Sequence, residues 1–267
     1  MEIADTISFP ELNSGHFTEK LITIVWFLPF MDKLPTGSRI LDKMLDGGYE
    51  NGIITTIYGP AGSGKTNLCI LCAINTSRIG KKVIYIDTEN NFSVERFRQI
   101  CNSTGSDHLK IINNMAFFRP NNFEEQNKIF EKLKDSVNEK VGIVIVDSIA
   151  MLYRLEMGKT DDFYDVNAEL GRQISFLKNI ASKKNIPVLV TNQVYADFDV
   201  KDKVNLVGGD LLKYGSKCLM ELQATPSGNR LCIIRKHRSI PEESQIVFKI
   251  VEGGIIGTKE GKGFKLF

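Results

Sequence analysis

The chain has no apolar run long enough to cross a membrane. Its most apolar stretch, LITIVWFLPF at residues 21–30, falls short of the roughly 20 residues that a spanning helix needs. The residues before this stretch include Glu2, Asp5 and Glu11, whereas a signal peptide begins with a basic segment. We therefore expect a cytoplasmic protein that has no membrane partner.

The chain also lacks a surplus of one charge and the cysteine pattern of a secreted protein. Lys and Arg number 34 against 32 Asp and Glu, which gives a net charge of +2, so any nucleic-acid binding must come from local patches. The five cysteines are an odd number, which favours reduced thiols over a disulfide framework. Cys69 and Cys72 have no second pair to complete a zinc site of about four ligands, so we expect them to fill the core.

From Leu34 onward the sequence alternates strand and helix patterns, without repeats or low-complexity tracts. Apolar runs at 52–59, 82–87, 141–148 and 186–192 predict buried strands, and helical periodicity at 66–80, 123–139 and 166–184 predicts the helices between them. This alternation predicts an α/β fold with a central, mainly parallel sheet flanked by helices.

The last third has a different pattern. Segments 217–224 and 229–236 adjoin the turn sequence TPSGN, which predicts a C-terminal antiparallel hairpin. A further strand is predicted in SQIVFKIVEGG. We predict one domain over residues 34–267 behind an N-terminal extension, residues 1–33. The extension is either an appended element or a non-native one, with Met31 as the native start.

A phosphate-binding motif lies between the first predicted strand and the first predicted helix. The residues GPAGSGKT match GxxxxGK[ST] in the context that the motif requires. The loop would bring backbone N–H groups to phosphate oxygens, Lys65 would reach the β and γ phosphates, and Thr66 would bind Mg²⁺. The residues predicted to bind the nucleotide here are Gly59, Pro60, Ala61, Gly62, Ser63, Gly64, Lys65 and Thr66. The predicted cofactors are therefore ATP and Mg²⁺.

Polar residues that end other strands are expected at the same edge of the sheet, because parallel strands present their carboxyl ends together. Asp147 ends the strand IVIVD and is a candidate second anchor for Mg²⁺. Glu89, just beyond Asp87 in YIDTEN, is either a solvated loop acid or the base for an attacking water. Gln193 is either an ordinary loop amide or a sensor of the γ-phosphate.

The chain resembles the RecA-type recombinases of the archaeal and eukaryotic branch. The resemblance is carried, in family order across residues 34–251, by TGSRILDKMLDGG, GPAGSGKT, YIDTEN, ERF, IVIVDSIAMLYR, ELGRQ, VLVTNQV and GGDLL. It implies a RecA-like P-loop ATPase core. It also implies catalytic roles for Lys65, for Glu89 as the base and for Gln193 as the nucleotide sensor, a metal site at Thr66 and Asp147, and a place near the adenine for Arg96.

Two features differ from the family's main recombinases. About 33 residues precede the predicted core, too few for the usual DNA-binding domain, and the F-x-x-A segment that docks neighbouring cores is missing from the sequence. The chain is in these respects most similar to a short archaeal paralogue of the RadA recombinase. Homo-oligomers, if they form, are expected to do so without the F-x-x-A contact.

The resemblance implies two DNA-facing loops, at residues 154–167 and 194–207. The first supplies Arg154 and Lys159, but the second mixes three aspartates with two lysines and is not a basic groove. The stronger basic cluster is RKHR at residues 235–238. Its Lys236 and Arg238 either contact DNA or a neighbour's nucleotide, or belong to a solvated strand end.

These observations leave three functional hypotheses. The first is an accessory protein of homologous recombination and DNA repair that binds ATP and single-stranded DNA, assists a RadA-type recombinase and acts as a weak DNA-dependent ATPase. The second is an autonomous strand-exchange recombinase. The third is a KaiC-like signalling ATPase that ignores DNA.

Overall fold

The computed structural model describes residues 33–159, 163–196 and 204–258, without the side chains of residues 134–135, 195–196 and 204–206. These residues belong to a compact unit that begins at Lys33. The domain boundary after residue 33 and the nature of residues 1–33 stay predictions.

The described strands form one large sheet and a small two-stranded ribbon. Their bounds are β1 Lys33–Leu34, β2 Tyr49–Glu50, β3 Ile54–Gly59, β4 Lys82–Asp87, β5 Met115–Phe118, β6 Val141–Asp147, β7 Val188–Ala196, β8 Val204–Leu206, β9 Cys218–Ala224, β10 Arg230–Lys236, β11 Gln245–Val251 and β12 Gly254–Gly257. The order in the large sheet is β12-β11-β10-β9-β3-β7-β6-β4-β5, with β8 paired to β7.

The pairing divides the large sheet into two parts. Strands β9, β3, β7, β6, β4 and β5 are parallel neighbours, so their carboxyl ends share one edge. Strands β9 to β12 pair antiparallel in chain order, and β8 runs antiparallel to β7. This confirms the predicted α/β fold, including the C-terminal hairpin.

The helices cover both faces of the sheet. Their bounds are α1 Arg39–Met44, α2 Lys65–Arg78, α3 Val94–Ser103, α4 His108–Ile112, α5 Phe123–Ser136, α6 Met151–Met157, α7 Phe163–Lys184 and α8 Gly209–Gly215. Helices α1 to α4 pack on one face and α5 to α8 on the other, in two separate apolar clusters. Within the described ranges, no helix is both long enough and apolar enough to span a membrane.

Strand periodicity decides which side chains meet the P-loop helix α2. Because successive side chains alternate between faces, Ile57, Tyr85, Ile145 and Leu189 all lie in the cluster that contains α2. The strand ends continue this alternation, so the polar residues that follow at the same parity point to the same face. The buried, free thiols of Cys69 and Cys72 belong to that cluster, as predicted.

The structure extends several predicted elements and adds others. Helix α7 begins at Phe163 and strand β7 continues to Ala196, so the first predicted loop overlaps two helices and the second begins inside a strand. Strands β5 and β12 and helices α3 and α4 are among the elements that the sequence pattern did not predict. Strand β5 is only four residues long and half-buried, which leaves little periodicity to detect.

The antiparallel strands and the P-loop helix share one core through Phe248, whose side chain is fully buried in the α2 cluster. We expect Phe248→Ala to lower the free energy of unfolding by about 3–5 kcal/mol, measured by urea denaturation in a single transition. The control Ile256→Ala, at a side chain 52% exposed on β12, should change it by less than about 0.5 kcal/mol. A small effect of Phe248→Ala would mean that the antiparallel strands contribute little to the stability of the core that contains α2.

Candidate functional site

The predicted phosphate-binding loop joins the end of β3 to the start of α2. Gly64, the residue before the helix, has φ of 103°, in the left-handed region that glycine tolerates best. Gly59 lies so close to strand β9 that a Cβ there would be 2.2 Å from the carbonyl oxygen of Leu222. The 14-residue helix α2 directs the positive end of its dipole at the loop.

Lys65 is folded against the loop that precedes it. Its Nζ donates to the carbonyl oxygens of Gly59 and Pro60, each at 2.9 Å. Burial lowers the pKa of Lys65, while the negative charges of Glu89 and Asp147 act in the opposite direction. The ammonium is therefore held at the mouth of the loop, facing two carboxylates.

Asp147 is buried at the end of β6 and surrounded by hydroxyl donors. Tyr85 donates its OH to Oδ2 at 3.0 Å, and Thr191 donates its hydroxyl to Oδ1. Thr66 also hydrogen-bonds to this carboxyl. Burial raises the pKa of Asp147, and the three hydroxyls partly offset that rise. The predicted metal residues Thr66 and Asp147 are thus in direct contact.

Glu89 and Gln193 are hydrogen-bonded to each other, although 104 residues separate them in the chain. Gln193 Nε2 lies 3.2 Å from Oε1 and 3.1 Å from Oε2 of Glu89. Ser148 Oγ donates to Oε1 at 2.6 Å, and Asn91 Nδ2 donates to Oε2 at 2.7 Å. Ser148 and Asn91 have no motif of their own and were not predicted from the sequence, and no sequence pattern indicated the Glu89–Gln193 contact.

Asp87 holds the strand end from which Glu89 emerges. It is fully buried and accepts hydrogen bonds from the backbone N–H groups of Asn91 and Phe92 at 3.1 and 3.2 Å. Arg119, at the end of β5, places Nε 3.6 Å from Asp87 Oδ2. The carboxylate oxygens of Asp87 therefore fix the loop and do not face the cleft.

These residues line one open cleft with a cavity volume of about 170 Å³. The lining residues are Ala61, Gly62, Gly64, Lys65, Thr66, Asn67, Glu89, Asn91, Asp147 and Gln193. Ser63 in the loop has a buried Oγ without a partner in the described part of the chain, which leaves a hydroxyl for an incoming oxygen. A loop with a lysine, an unpartnered hydroxyl and two carboxylates fit a nucleoside triphosphate with its magnesium ion.

Arg96 lies beside this cleft and is committed to protein contacts. Its Nε donates to Asn67 Oδ1 at 2.7 Å, and its Nη2 donates to the carbonyl oxygens of Val251 and Gly254 at 2.7 and 3.1 Å. The guanidinium thus ties α2 and α3 to the β11–β12 turn. Its predicted place near the adenine stays a prediction.

The four residues predicted to contact DNA lie in two separate places. Arg154 and Lys159 follow β6 at the nucleotide edge, in and just after α6, and Arg154 lines a small cavity together with Ser148 and Gln193. Lys159 pairs with Glu156 at 3.4 Å. Much of the second predicted loop, residues 197–203, lies outside the described residues.

Lys236 and Arg238 lie at the opposite edge, because β10 runs antiparallel to β9. Lys236 Nζ donates to the carbonyl oxygens of Lys213 and Ser216, at the end of α8. Arg238 Nε donates to Glu50 at 2.9 Å, and Glu50 is 4% exposed. The structure therefore does not bring these residues together with Arg154 and Lys159, and their role in DNA contact stays a prediction.

Comparisons with known proteins agree with this fold. The Rad51 family model matches residues 31–258. The chain is 42% identical over 230 residues to the DNA repair and recombination protein RadB of Methanobrevibacter smithii, which covers 84% of this chain and 95% of the relative. The RadB of Thermoplasma acidophilum is 37% identical, and the match covers 84% of this chain and 93% of that relative.

A solved structure, described as the crystal structure of the RadB recombinase, also matches the fold. Its TM-score with this chain is 0.74 at 36% sequence identity. The match covers 85% of this chain and all of the solved one.

The buried carboxyl of Asp147 predicts a pH-dependent effect on stability. Its pKa is raised above 3.8 in the folded state, so folding is penalised as the pH rises through the unfolded value. We expect Asp147→Asn to raise the free energy of unfolding at pH 7 without nucleotide, with the gain shrinking as the pH falls towards about 4 and vanishing below it. Thermal unfolding across this pH range measures both.

The same variant should lose the stabilisation that Mg-ATP gives to the parent protein. Asp210→Asn, at an exposed side chain on α8, is the matched control and should change neither property. A lower stability of Asp147→Asn at pH 7 would mean that the hydroxyl donors outweigh the cost of burial.

Proposed function

We infer that the function of this chain follows from its family, because the chain belongs to the Rad51 family and, within it, to the RadB proteins. On this basis we propose that it is an ATP-binding and DNA-binding accessory protein of homologous recombination and DNA repair. In this proposal it assists a RadA-type recombinase. It hydrolyses ATP slowly and uses the nucleotide mainly as a conformational switch.

The observation that carries the proposal is the convergence of Lys65, Thr66, Asp147, Glu89 and Gln193 on one cleft. Lys65 would exchange its two carbonyl contacts for phosphate oxygens, and Thr66 and Asp147 would hold magnesium directly or through water. When bound, ATP would supply the γ-phosphate to be attacked, and its magnesium ion would neutralise part of the phosphate charge.

Glu89 is placed to orient and deprotonate a water, but its carboxylate is already engaged. Ser148, Asn91 and Gln193 together donate four hydrogen bonds to its two oxygens. Gln193 bridges both oxygens, so a water that uses Glu89 as a base must displace or share the contact with Gln193. This competition supports slow turnover, and the contact with Gln193 supports a link between the nucleotide and the segment after β7.

The position of α6 supports DNA contact at the nucleotide edge. Arg154 is exposed and shares a cavity with Gln193, so a phosphate backbone bound there would lie next to the nucleotide sensor. Exposed lysine and arginine side chains bind such a backbone by displacing its counterions. The printed names of the relatives, which include DNA repair and recombination, support the same assignment.

Nucleotide binding and hydrolysis should respond differently to two substitutions. We expect Lys65→Ala to abolish ATP binding, measured by fluorescence titration, because the loop loses its only predicted phosphate-binding cation. Glu89→Gln should keep ATP affinity within about twofold and lower single-turnover hydrolysis about 100-fold or more. Normal hydrolysis in Glu89→Gln would return this acid to the role of a solvated loop residue.

DNA binding should depend on the basic residues at the nucleotide edge. We expect the double variant Arg154→Ala/Lys159→Ala to weaken binding of single-stranded DNA and to reduce the slope of log affinity against log salt by about 0.7 for each lost phosphate contact. Fluorescence anisotropy at several salt concentrations measures this slope. Lys236→Ala/Arg238→Ala is the charge-matched comparison at the opposite edge, checked for folding because it leaves Glu50 unpaired.

The proposed role is tested by adding ATP, single-stranded DNA and a RadA-type recombinase. Stimulation of that recombinase by a protein that makes no strand exchange alone supports the accessory role. Long filaments and strand exchange by the protein itself would favour the autonomous recombinase instead. An ATPase that ignores DNA would favour a KaiC-like signalling role.

A further inference from the structure

Asn91 is aimed at the proposed base by a turn that the buried Asp87 organises. Asn90 has φ of 53°, a left-handed conformation that Asn tolerates better than most residues. Asp87 accepts the backbone N–H of Asn91 at 3.1 Å, and this fixes the start of the Asn91 side chain. The turn therefore directs Asn91 back over Glu89, two residues earlier.

The Asn91 side chain then meets one oxygen of Glu89, while Ser148 meets the other. Asn91 Nδ2 lies 2.7 Å from Oε2, and Ser148 Oγ lies 2.6 Å from Oε1. Ser148 is itself held by Thr88, whose hydroxyl donates to the Ser148 carbonyl at 2.6 Å and accepts its N–H at 3.0 Å. The carboxylate is thus held from both sides by groups that are fixed to the ends of β4 and β6.

We propose that Asn91 is a positioning residue, which holds the Glu89 carboxylate in the orientation required to activate the attacking water. The inference rests on the proposed role of Glu89 as the base. A glutamate side chain has three rotatable bonds, and holding it in one rotamer before reaction removes an entropic cost from the chemical step. In the described part of the chain, the Asn91 amide donates its side-chain hydrogen bond to Glu89.

A contribution to the stability of the fold does not by itself account for the hydrogen bond between Asn91 and Glu89. The Asn91 side chain is exposed, and exposed hydrogen bonds add little to the free energy of folding. The turn itself depends on the backbone N–H of Asn91, which any residue except proline would keep. The effect of the side chain should therefore appear in catalysis and not in folding.

The test is single-turnover ATP hydrolysis together with ATP affinity in the full chain. We expect Asn91→Ala to lower the hydrolysis rate about 10-fold to 100-fold while ATP affinity changes by less than about twofold. Asn91→Asp keeps the size of the side chain but replaces the donor with a like charge, so it should lose at least as much. Asn102→Ala, at an exposed position on α3, is the control and should change neither quantity.

A double variant separates positioning from direct contact with the nucleotide. If Asn91 acts through Glu89, Glu89→Gln/Asn91→Ala should hydrolyse ATP no more slowly than Glu89→Gln alone, because effects within one unit are not additive. A further loss in the double variant, or a large loss of affinity in Asn91→Ala, would assign Asn91 to the nucleotide and overturn the inference.

The inference and the proposed function can fail separately. Full hydrolysis in Asn91→Ala, with hydrolysis abolished in Glu89→Gln, would overturn only the inference. Full hydrolysis in Glu89→Gln would overturn the assignment of the base and the inference with it. Rescue of the hydrolysis rate by Asn91→Asp would also overturn the inference. It would mean that the size of the side chain is required and not its hydrogen-bond donor.

Discussion

The parallel register of β3, β4, β6 and β7 is the constraint on which the candidate site depends. Asp87 is paired with Asp147, and Gly59 with Gln193, so β4 ends level with β6, and the end of β3 lies beside Gln193. Since side chains alternate along a strand, residues at the same parity face the P-loop helix together. A slip of one residue in β6 would move Asp147 to the opposite face, away from Thr66, Tyr85 and Thr191.

The convergence of these residues lowers the stability of the fold, because charged groups at this edge are buried away from water and some of them repel one another. Burial opposes ionisation of Asp147 and protonation of Lys65, and Glu89 adds a second negative charge beside Asp147. Three hydroxyls and the Lys65 ammonium offset part of this cost. A site of this kind is less stable without its ligand than a neutral one, and a bound Mg-nucleotide would relieve the imbalance.

The sequence predicted those parts of the site that have a local pattern. A glycine-rich loop between a strand and a helix identifies Lys65 and Thr66, and an apolar run that stops at an acid identifies Asp147. The contact between Glu89 and Gln193 could not be predicted in this way, because it depends on the register of strands that are distant in the chain. Lys236 shows the converse, since a basic run at a strand end gave no sign that its ammonium is bound to the end of α8.

Strand β7 connects the proposed base to the segment that follows the nucleotide site. Gln193 holds Glu89 with its side chain and accepts the N–H of Val207 with its backbone carbonyl at 3.3 Å. Its neighbour Asn192 donates to the Val207 carbonyl at 2.7 Å, so Val207, the residue after β8, is held by two hydrogen bonds beside Gln193. A γ-phosphate that drew the Gln193 amide away from Glu89 would therefore act on a strand that is hydrogen-bonded to the residue after β8.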